Sequence, residues 1–244
     1  MCGRFTQQTP AASWTQEFLP LWTETELTAL RSKYALAARY NIAPTQEVPC
    51  IFSGGDSKRW RFDLFRWGLL PFWAKDLASG ARAINARSET AHEKTMFKQA
   101  FAKRRCVVPA DGYFEWAKTS QGKQPYYVRR KDERMLAMAG LWEENDRLGT
   151  GGKPILSFTI LTTQANEVTG VVHDRMPVFL TQEQTSVWLD PGIDDAHSLR
   201  SMIGSAPADW FELFPVSSIV NSAKNDSAEC TKPIELLRQQ SLFD

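Results

Sequence analysis

The second residue of this 244-residue chain is a cysteine, and its position gives it a particular chemistry. A small second residue permits removal of the initiator methionine, so we expect Met1 to be absent from the mature protein. Cys2 then carries a thiol and an α-amine, whose ordinary pKa values are roughly 8.5 and 7.7–8. Such an aminothiol reacts with an aldehyde, because the amine forms an imine and the thiol closes it to a thiazolidine ring. For this residue taken alone, a buried or incidental cysteine at a frayed terminus is the alternative.

Three further polar residues lie in short segments suited to a reactive site. Glu115 is predicted on a strand between two aromatic residues, where it is either exposed to solvent or enclosed in a pocket. Enclosure would raise its pKa and suit it for proton transfer near neutral pH. His173 has a side chain suited to acid–base chemistry. The amide of Asn85 either stabilises a turn or points at an oxyanion or an aldehyde. The other histidines, His92 and His197, are predicted on the surface.

Arginines and tryptophans near these residues favour a nucleic-acid ligand. Arg4, Arg87 and Arg175 each lie within two positions of a candidate reactive residue, and guanidinium groups suit phosphates. Trp73 lies in a loop and offers a stacking surface for an unpaired base. Trp67 ends a predicted strand and is expected in the core.

The composition is that of an ordinary globular protein, with 43% hydrophobic and 23% charged residues. The sequence contains neither an apolar run of membrane-spanning length nor a signal peptide. Its four cysteines lie far apart, without a CxxC pair or a Cys/His cluster. These features predict a cytoplasmic protein without disulfides, metal or cofactor.

The net charge of +1 hides an asymmetry between the two halves of the chain. Residues 1–120 contain 17 Lys and Arg against 11 Asp and Glu, whereas residues 121–244 contain 12 against 17. The sequence therefore allows a local basic groove, although a solvated surface without function would give the same counts.

The predicted elements indicate an α+β fold with an antiparallel, barrel-like β core and peripheral helices. Helices are expected over residues 9–18 and 23–36, then strands over 47–53 and 58–65 and a long loop over 69–83. A further helix is predicted over 89–103 from the apolar residues at 96, 97, 100 and 101. The remaining strands are predicted over 105–109, 113–118, 125–130, 135–142, 155–162 and 176–180. Helices are expected over 181–189 and 194–203, and a last strand follows over 210–216. We expect one domain over residues 1–232 and a short C-terminal tail over 233–244.

Six segments resemble motifs of the SOS response-associated peptidase (SRAP) family, in family order and across roughly residues 1–225. They are MCGRF, RYNIAP, WGLLPFW, INARSET, PADGYFEW and HDRMPVFL. The resemblance implies an SRAP-like fold in a protein that recognises abasic sites in single-stranded DNA and bonds to them covalently. It implies Cys2 as the nucleophile, surrounded by Asn85, Glu115 and His173. It also implies a set of DNA contacts, namely Arg4, Asn41, Trp73, Arg87, Thr162 and Arg175.

An abasic site exposes an aldehyde when its sugar ring opens, which matches the chemistry expected of a terminal Cys2. His173 or Glu115 would move protons for ring opening, and Asn85 would orient the amine or the sugar oxygen. Proton loss next to an untrapped imine would eliminate the 3′ phosphate, a lyase side reaction. Two other functions stay open at this point. One is a cysteine peptidase acting through Cys2, His173 and Asn85, with self-removal of Met1 as its simplest form. The other is a non-catalytic single-stranded DNA-binding module.

One departure from the family pattern concerns the stacking aromatic. Ala74 follows Trp73, where family members often carry a second aromatic residue. One side of the stacking surface is therefore expected to be weaker. The expected partner is single-stranded DNA containing abasic sites, bound by a monomer associated with the nucleoid.

The end of the chain contains a separate motif. Gln239, Leu242 and Phe243 resemble the short peptide with which bacterial replication and repair proteins dock on the sliding clamp. Packing of the tail on its own domain is the alternative for so short a match.

Overall fold

A five-stranded barrel forms the centre of the protein in a computed structural model that describes residues 2–34, 36–54, 59–120 and 122–236. The helices of this part of the chain are α1 (Ala11–Phe18), α2 (Glu24–Tyr34), α3 (Lys98–Lys103), α4 (Gln182–Leu189) and α5 (Ala196–Ser201). The strands are β1 (Arg4–Gln7), β2 (Arg39–Ile42), β3 (Glu47–Ser53), β4 (Trp60–Trp67), β5 (Asn85–Arg87), β6 (Arg105–Ala110), β7 (Gly112–Thr119), β8 (Gly122–Arg130), β9 (Leu136–Thr150), β10 (Lys153–Gln164), β11 (Arg175–Pro177), β12 (Phe179–Leu180) and β13 (Phe211–Pro215). The predicted α+β class with a barrel-like core is confirmed.

The barrel runs in the order β10-β4-β3-β6-β9 and closes through pairing of β9 with β10. Adjacent strands of the barrel are antiparallel with one exception. β4 and β10 are parallel, with Trp67 opposite Phe158. The short strand β5 is also parallel to β10. The prediction of an antiparallel core is therefore wrong at these two pairs and correct for the other neighbouring strands of the barrel. The long chain segment between β4 and β10 makes a parallel return possible, as a tight hairpin does not.

A second sheet in the order β13-β8-β7-β1-β2 brings the N-terminus into the fold. β1 lies between β2 and β7 and is antiparallel to both. The sequence did not predict β1, β2 or β5, because strands of three or four residues are too short for alternation to be recognised.

Trp67 lies fully buried in the core, as predicted. Its ring packs edge-on against Phe5 and stacks on Phe158, with centroid separations of 5.0 and 6.2 Å. The indole N–H donates to the carbonyl of Ile84 over 3.0 Å, which satisfies the one polar atom of this side chain. The core thus fixes the residue that immediately precedes Asn85.

The helices of the first and last thirds of the chain lie near their predicted positions. Thr181 caps the N-terminus of α4 through a reciprocal capping box with Gln184. The predicted helix over 89–103 is wrong except for α3. Its apolar stripe starts only at Met96, so residues 88–97 have no continuous face to pack and form single turns. No helix among the described residues is long and apolar enough to cross a bilayer.

The end of the described chain is held against β13. Val216 pairs with Pro233, and the N–H of Ile234 donates to the carbonyl of Pro215 over 2.9 Å. The predicted clamp residues Gln239, Leu242 and Phe243 lie outside the described residues.

Candidate active site

Cys2 and Asn85 are joined directly, although 83 positions separate them. The Asn85 Nδ2 group donates to the main-chain carbonyl of Cys2 over 2.7 Å. Asn85 begins β5 opposite Ile160 of β10. The carbonyl just before it, on Ile84, accepts from the N–H of Ile160 over 3.1 Å and from the indole of Trp67. The barrel thereby fixes the amide that holds the N-terminal residue.

The other atom of the Asn85 amide is left for a ligand. Asn85 Oδ1 is buried and has no hydrogen-bond partner among the described residues. An unsatisfied buried acceptor costs about 1–3 kcal/mol. A donor group entering the site, such as an amine or a sugar hydroxyl, would remove that cost.

The Cys2 thiol lies in a dry environment. Cys2 has no exposed surface, and its Sγ makes only a weak contact of 3.8 Å with the carbonyl of Arg4. Burial raises the pKa of the Cys2 thiol well above its ordinary value, and the charge of Glu115 raises it further. Burial also raises the pKa of Tyr113, with smaller contributions from Cys2 and Glu115. The thiol is therefore protonated at neutral pH, and a base must accept its proton before sulfur can attack.

Glu115 is enclosed, which decides between the two alternatives that the sequence left open. It lies in β7 opposite Tyr126 of β8, and 5% of the residue is exposed. Strand alternation places Glu115 on the same face as Tyr113, which packs in one apolar cluster with Cys2. Phe114 points to the other face and is buried as well, because β7 is covered on both sides.

His173 lies just before β11 in a position that defines its tautomer. Its Nδ1 accepts the N–H of Arg175 over 3.0 Å, so the proton of the neutral ring is on Nε2. Asp174 Oδ1 lies 2.9 Å from the same Nδ1.

The other two histidines differ in exposure. His197 is exposed, as predicted. The prediction of a surface position is wrong for His92, whose side chain is only 12% exposed and contacts the ring of Phe101. The apolar stripe that starts at Met96 brings Phe101 underneath this ring.

A surface pocket of about 390 Å³ brings two of the predicted catalytic side chains together. It is lined by Glu115, Trp116, Lys123, His173 and Asn221. Sequence reasoning did not assign a role to Trp116, Lys123 or Asn221. The neighbouring position in PADGYFEW was a signal for Trp116, whereas Asn221 comes from a distant segment without a motif. Two larger cavities, of about 560 and 410 Å³, lie elsewhere and contain none of the four predicted catalytic residues.

Three of the predicted DNA contacts lie together around one end of β10. Arg87 is exposed and lies opposite Thr162 in the β5–β10 register. Arg175 donates to both carboxylate oxygens of Glu89, over 2.7 and 2.8 Å, and to the carbonyl of Thr162 over 2.5 Å. The Thr162 side chain has no exposed surface. Arg87 is therefore the exposed cation of this surface, whereas the Arg175 side chain is 14% exposed and paired with Glu89. Thr162 lies beneath both arginines.

Arg4 and Asn41 are engaged inside the protein. Arg4 donates to Asn41 Oδ1 over 2.8 Å and to the carbonyls of Val220 and Asn221 over 2.7 and 3.2 Å. As it lies here, the fully buried Asn41 side chain has no surface to offer to DNA. Direct DNA contacts of these two residues stay predictions, and their observed role is to hold the segment around Val220.

The exposed aromatic surface at Trp73 includes a second ring that the sequence analysis missed. Trp73 is 43% exposed and Phe72 is 56% exposed. Ala74, where a second aromatic was expected from the family pattern, is buried. The adjacent ring is therefore supplied by the residue before Trp73 and not by the residue after it.

The described residues contain no group of three His, Cys, Asp or Glu side chains placed to hold a metal ion. All four cysteines are free thiols.

The fold and the site define a class of protein: a barrel-centred α+β domain in which Asn85 holds a cysteine at position 2 and the charge of Glu115 acts on the thiol of that cysteine. The model of the SOS response associated peptidase (SRAP) family matches residues 1–223, and the chain belongs to this family. The resemblance inferred from the six motifs is thereby confirmed.

Named relatives cover most of the chain. It is 37% identical over 230 residues to abasic site processing protein YoqW of Bacillus subtilis, covering 94% of this chain and 98% of that protein. It is 34% identical over 230 residues to abasic site processing protein HMCES of Gallus gallus, covering 81% of this chain and 66% of that protein. A crystal structure of a protein from Bacteroides thetaiotaomicron superposes with a TM-score of 0.80 at 25% identity, covering 96% of this chain and all of that one.

Proposed function

We propose that this protein recognises abasic sites in single-stranded DNA and forms a thiazolidine crosslink to them through Cys2 after removal of Met1. The observation that carries the proposal is the hydrogen bond by which Asn85 holds the carbonyl of Cys2, whose thiol is under the influence of the Glu115 charge. Relatives of this chain are named abasic site processing proteins. An abasic sugar is the aldehyde source that a 1,2-aminothiol at a DNA-binding site would meet.

The crosslinking steps balance with the groups present. The sugar opens to its aldehyde when Glu115 accepts the proton of the C1 hydroxyl and the bond from C1 to the ring oxygen breaks. The ring oxygen accepts a hydrogen bond from Nε2–H of His173 and takes up the proton that Glu115 releases. The Cys2 amine adds to the aldehyde carbon and water leaves, which gives an imine. Sulfur then bonds to the imine carbon while the electron pair of the C=N bond moves to nitrogen. Glu115 accepts the thiol proton and passes it to that nitrogen. Because the buried thiol is protonated, this step needs a base. Glu115 is suited to this role, since its charge already influences the pKa of the thiol.

The same imine permits a lyase side reaction. If sulfur does not trap it, a base removes a proton from the adjacent sugar carbon, and the electron pair expels the 3′ phosphate. Glu115 is buried and its charge acts on the Cys2 thiol, and it is the base that we assign to this step.

The DNA strand would pass between the cationic surface and the aromatic pair. Arg87 and Arg175 would contact phosphates, because their guanidinium groups suit these anions. Phe72 and Trp73 would stack on unpaired bases, which favours a single strand over a duplex whose bases must first be unstacked.

A cysteine peptidase is less consistent with the site. Such enzymes activate a cysteine by lowering its thiol pKa, usually through contact with a histidine. Here burial raises the pKa of Cys2, and the thiol contacts the carbonyl of Arg4.

One assay separates the three functions. The protein is mixed with a single-stranded oligonucleotide carrying one abasic site and analysed on a denaturing gel after heating. A heat-stable adduct that Cys2→Ala abolishes supports the proposal. Cleavage of a peptide library without an adduct would support the peptidase. Reversible binding that is the same in wild type and Cys2→Ala would support the non-catalytic module. An intact oligonucleotide of the same sequence is the control.

A further inference from the structure

The outer wall of the pocket is formed by two residues joined by a hydrogen bond. The indole Nε1–H of Trp116 donates to Asn221 Oδ1 over 2.7 Å. Both residues line the pocket together with Glu115 and His173. Since Oδ1 accepts this bond, the orientation of the amide is defined, and Nδ2 is the donor that Asn221 presents elsewhere.

The main chain of Asn221 is tied to the reactive terminus. Arg4 Nη2 donates to the carbonyl of Asn221 over 3.2 Å, and Arg4 Nη1 donates to that of Val220 over 2.7 Å. Arg4 begins β1 two positions after Cys2. The Arg4 side chain therefore connects residues 220 and 221 to the strand that follows Cys2.

The buried side chain of Asn41 holds the same segment from the interior of the protein. Its Nδ2 lies 3.1, 3.0 and 2.7 Å from the carbonyls of Val220, Ser222 and Asn225. Two amide hydrogens serve three acceptors, so one of these bonds is shared. Such a buried and fully used amide holds a loop in one conformation, because each lost bond would leave a buried carbonyl unsatisfied.

From this arrangement we infer that Asn221 Nδ2 binds an acceptor oxygen of the abasic nucleotide, and that Trp116, Arg4 and Asn41 are its positioning residues. The inference rests on the proposed function and names a contact within the same pocket. The acceptor is an oxygen of the sugar or of its phosphate. Because the Asn221 side chain is neutral, it recognises an oxygen by the direction of its hydrogen bond and not by charge. Lys123 supplies a positive charge to the same pocket.

The test measures single-turnover adduct formation at several concentrations of abasic single-stranded DNA. The variants are Asn221→Ala, Trp116→Phe and the double variant. Ser218→Ala is the matched control, since it is exposed on the same segment and outside the pocket lining. Urea unfolding shows that each variant is folded.

We expect Asn221→Ala to lower adduct formation about tenfold, the effect of one lost hydrogen bond. A lower rate at saturating DNA identifies a sugar oxygen. A higher half-saturating concentration identifies a phosphate oxygen, and a methylphosphonate at that phosphate then removes the difference between wild type and variant. Trp116→Phe keeps a ring but loses the donor, so the double variant should be no slower than Asn221→Ala alone.

Three results would overturn the inference: unchanged kinetics in Asn221→Ala, an equal loss in Ser218→Ala, or single effects that multiply in the double variant. Absence of any adduct with wild-type protein would instead refute the proposed function. In that case binding to an oligonucleotide with a tetrahydrofuran residue, which lacks the aldehyde, still tests the Asn221 contact.

Discussion

The side chain of Asn85 holds the main chain of Cys2 through a single hydrogen bond of 2.7 Å. The bond uses the carbonyl of Cys2 and leaves its thiol and its prospective amine for chemistry. The position of the reactive residue thus depends on β5, and through β5 on the barrel strand β10.

Loss of the hydrogen bond between Asn85 and Cys2 should affect the rate of adduct formation more than protein stability. Asn85→Ala should slow adduct formation by about one to two orders of magnitude, because a misplaced reactive group loses its alignment with the aldehyde. The loss of unfolding free energy should be only about 1 kcal/mol, the net value of one hydrogen bond. Single-turnover kinetics and urea unfolding measure the two quantities. Equal rates in wild type and Asn85→Ala would contradict the assigned role.

The amine and the thiol of Cys2 should be separable. Cys2→Ser keeps the amine after methionine removal, so it should still form an imine that borohydride reduces to a permanent link. It should lose most of the heat-stable adduct that forms without reductant. A variant that retains Met1 has no free amine at Cys2 and should form neither product; gels with and without borohydride distinguish these cases.

Glu115→Gln should change two rates in opposite directions. The Glu115 charge raises the thiol pKa of Cys2, second to burial, so its removal should increase the thiolate fraction at a given pH. Alkylation of Cys2 by iodoacetamide, followed by peptide mass spectrometry, should therefore become faster. Adduct formation should become slower because the base is lost. If both rates fell, Glu115 would act mainly through packing.

Protein stability should depend on pH through Cys2. The pKa of this thiol is higher in the folded than in the unfolded protein, so its contribution is complete below the ordinary value and is lost as pH rises above it. Near pH 9.5, about one unit above the ordinary pKa of roughly 8.5, the loss should approach 1.4 kcal/mol. Urea unfolding of wild type and Cys2→Ser at pH 7 and pH 9.5 isolates this term, since other groups titrate alike in both. An equal change in the two proteins would contradict the prediction.

Glu89 should limit DNA affinity, because its carboxylate pairs with Arg175 through two hydrogen bonds. Glu89→Gln removes the competing charge and should tighten binding to tetrahydrofuran-containing single strands about two- to fivefold at low salt. The slope of log affinity against log salt should become steeper by up to about 0.7, the value for one further phosphate contact. Glu93→Gln is the matched control, since Glu93 is largely exposed and pairs with His92. Weaker binding by Glu89→Gln would show that the pair is needed to orient Arg175.

The sequence predicted the strand-rich part of the fold well, because β3, β4 and β6 to β10 each have six residues or more. It missed β1, β2 and β5, which have three or four residues each. These short strands carry Arg4, Asn41 and Asn85. Part of the site therefore lies on strands that are too short to show a recognisable alternation of apolar and polar residues.

The amino-acid sequence by itself determined the fold class, the family and the types of reactive group, because these depend on local patterns and on the order of short motifs. Only the tertiary structure decided that Glu115 is enclosed, that Arg4 and Asn41 hold a loop, and that Asn221 belongs to the pocket. The bond between Arg4 and Asn221 joins residues 217 positions apart. Burial and hydrogen-bond partners of this kind arise when distant strands meet, and neither composition nor periodicity contains that information.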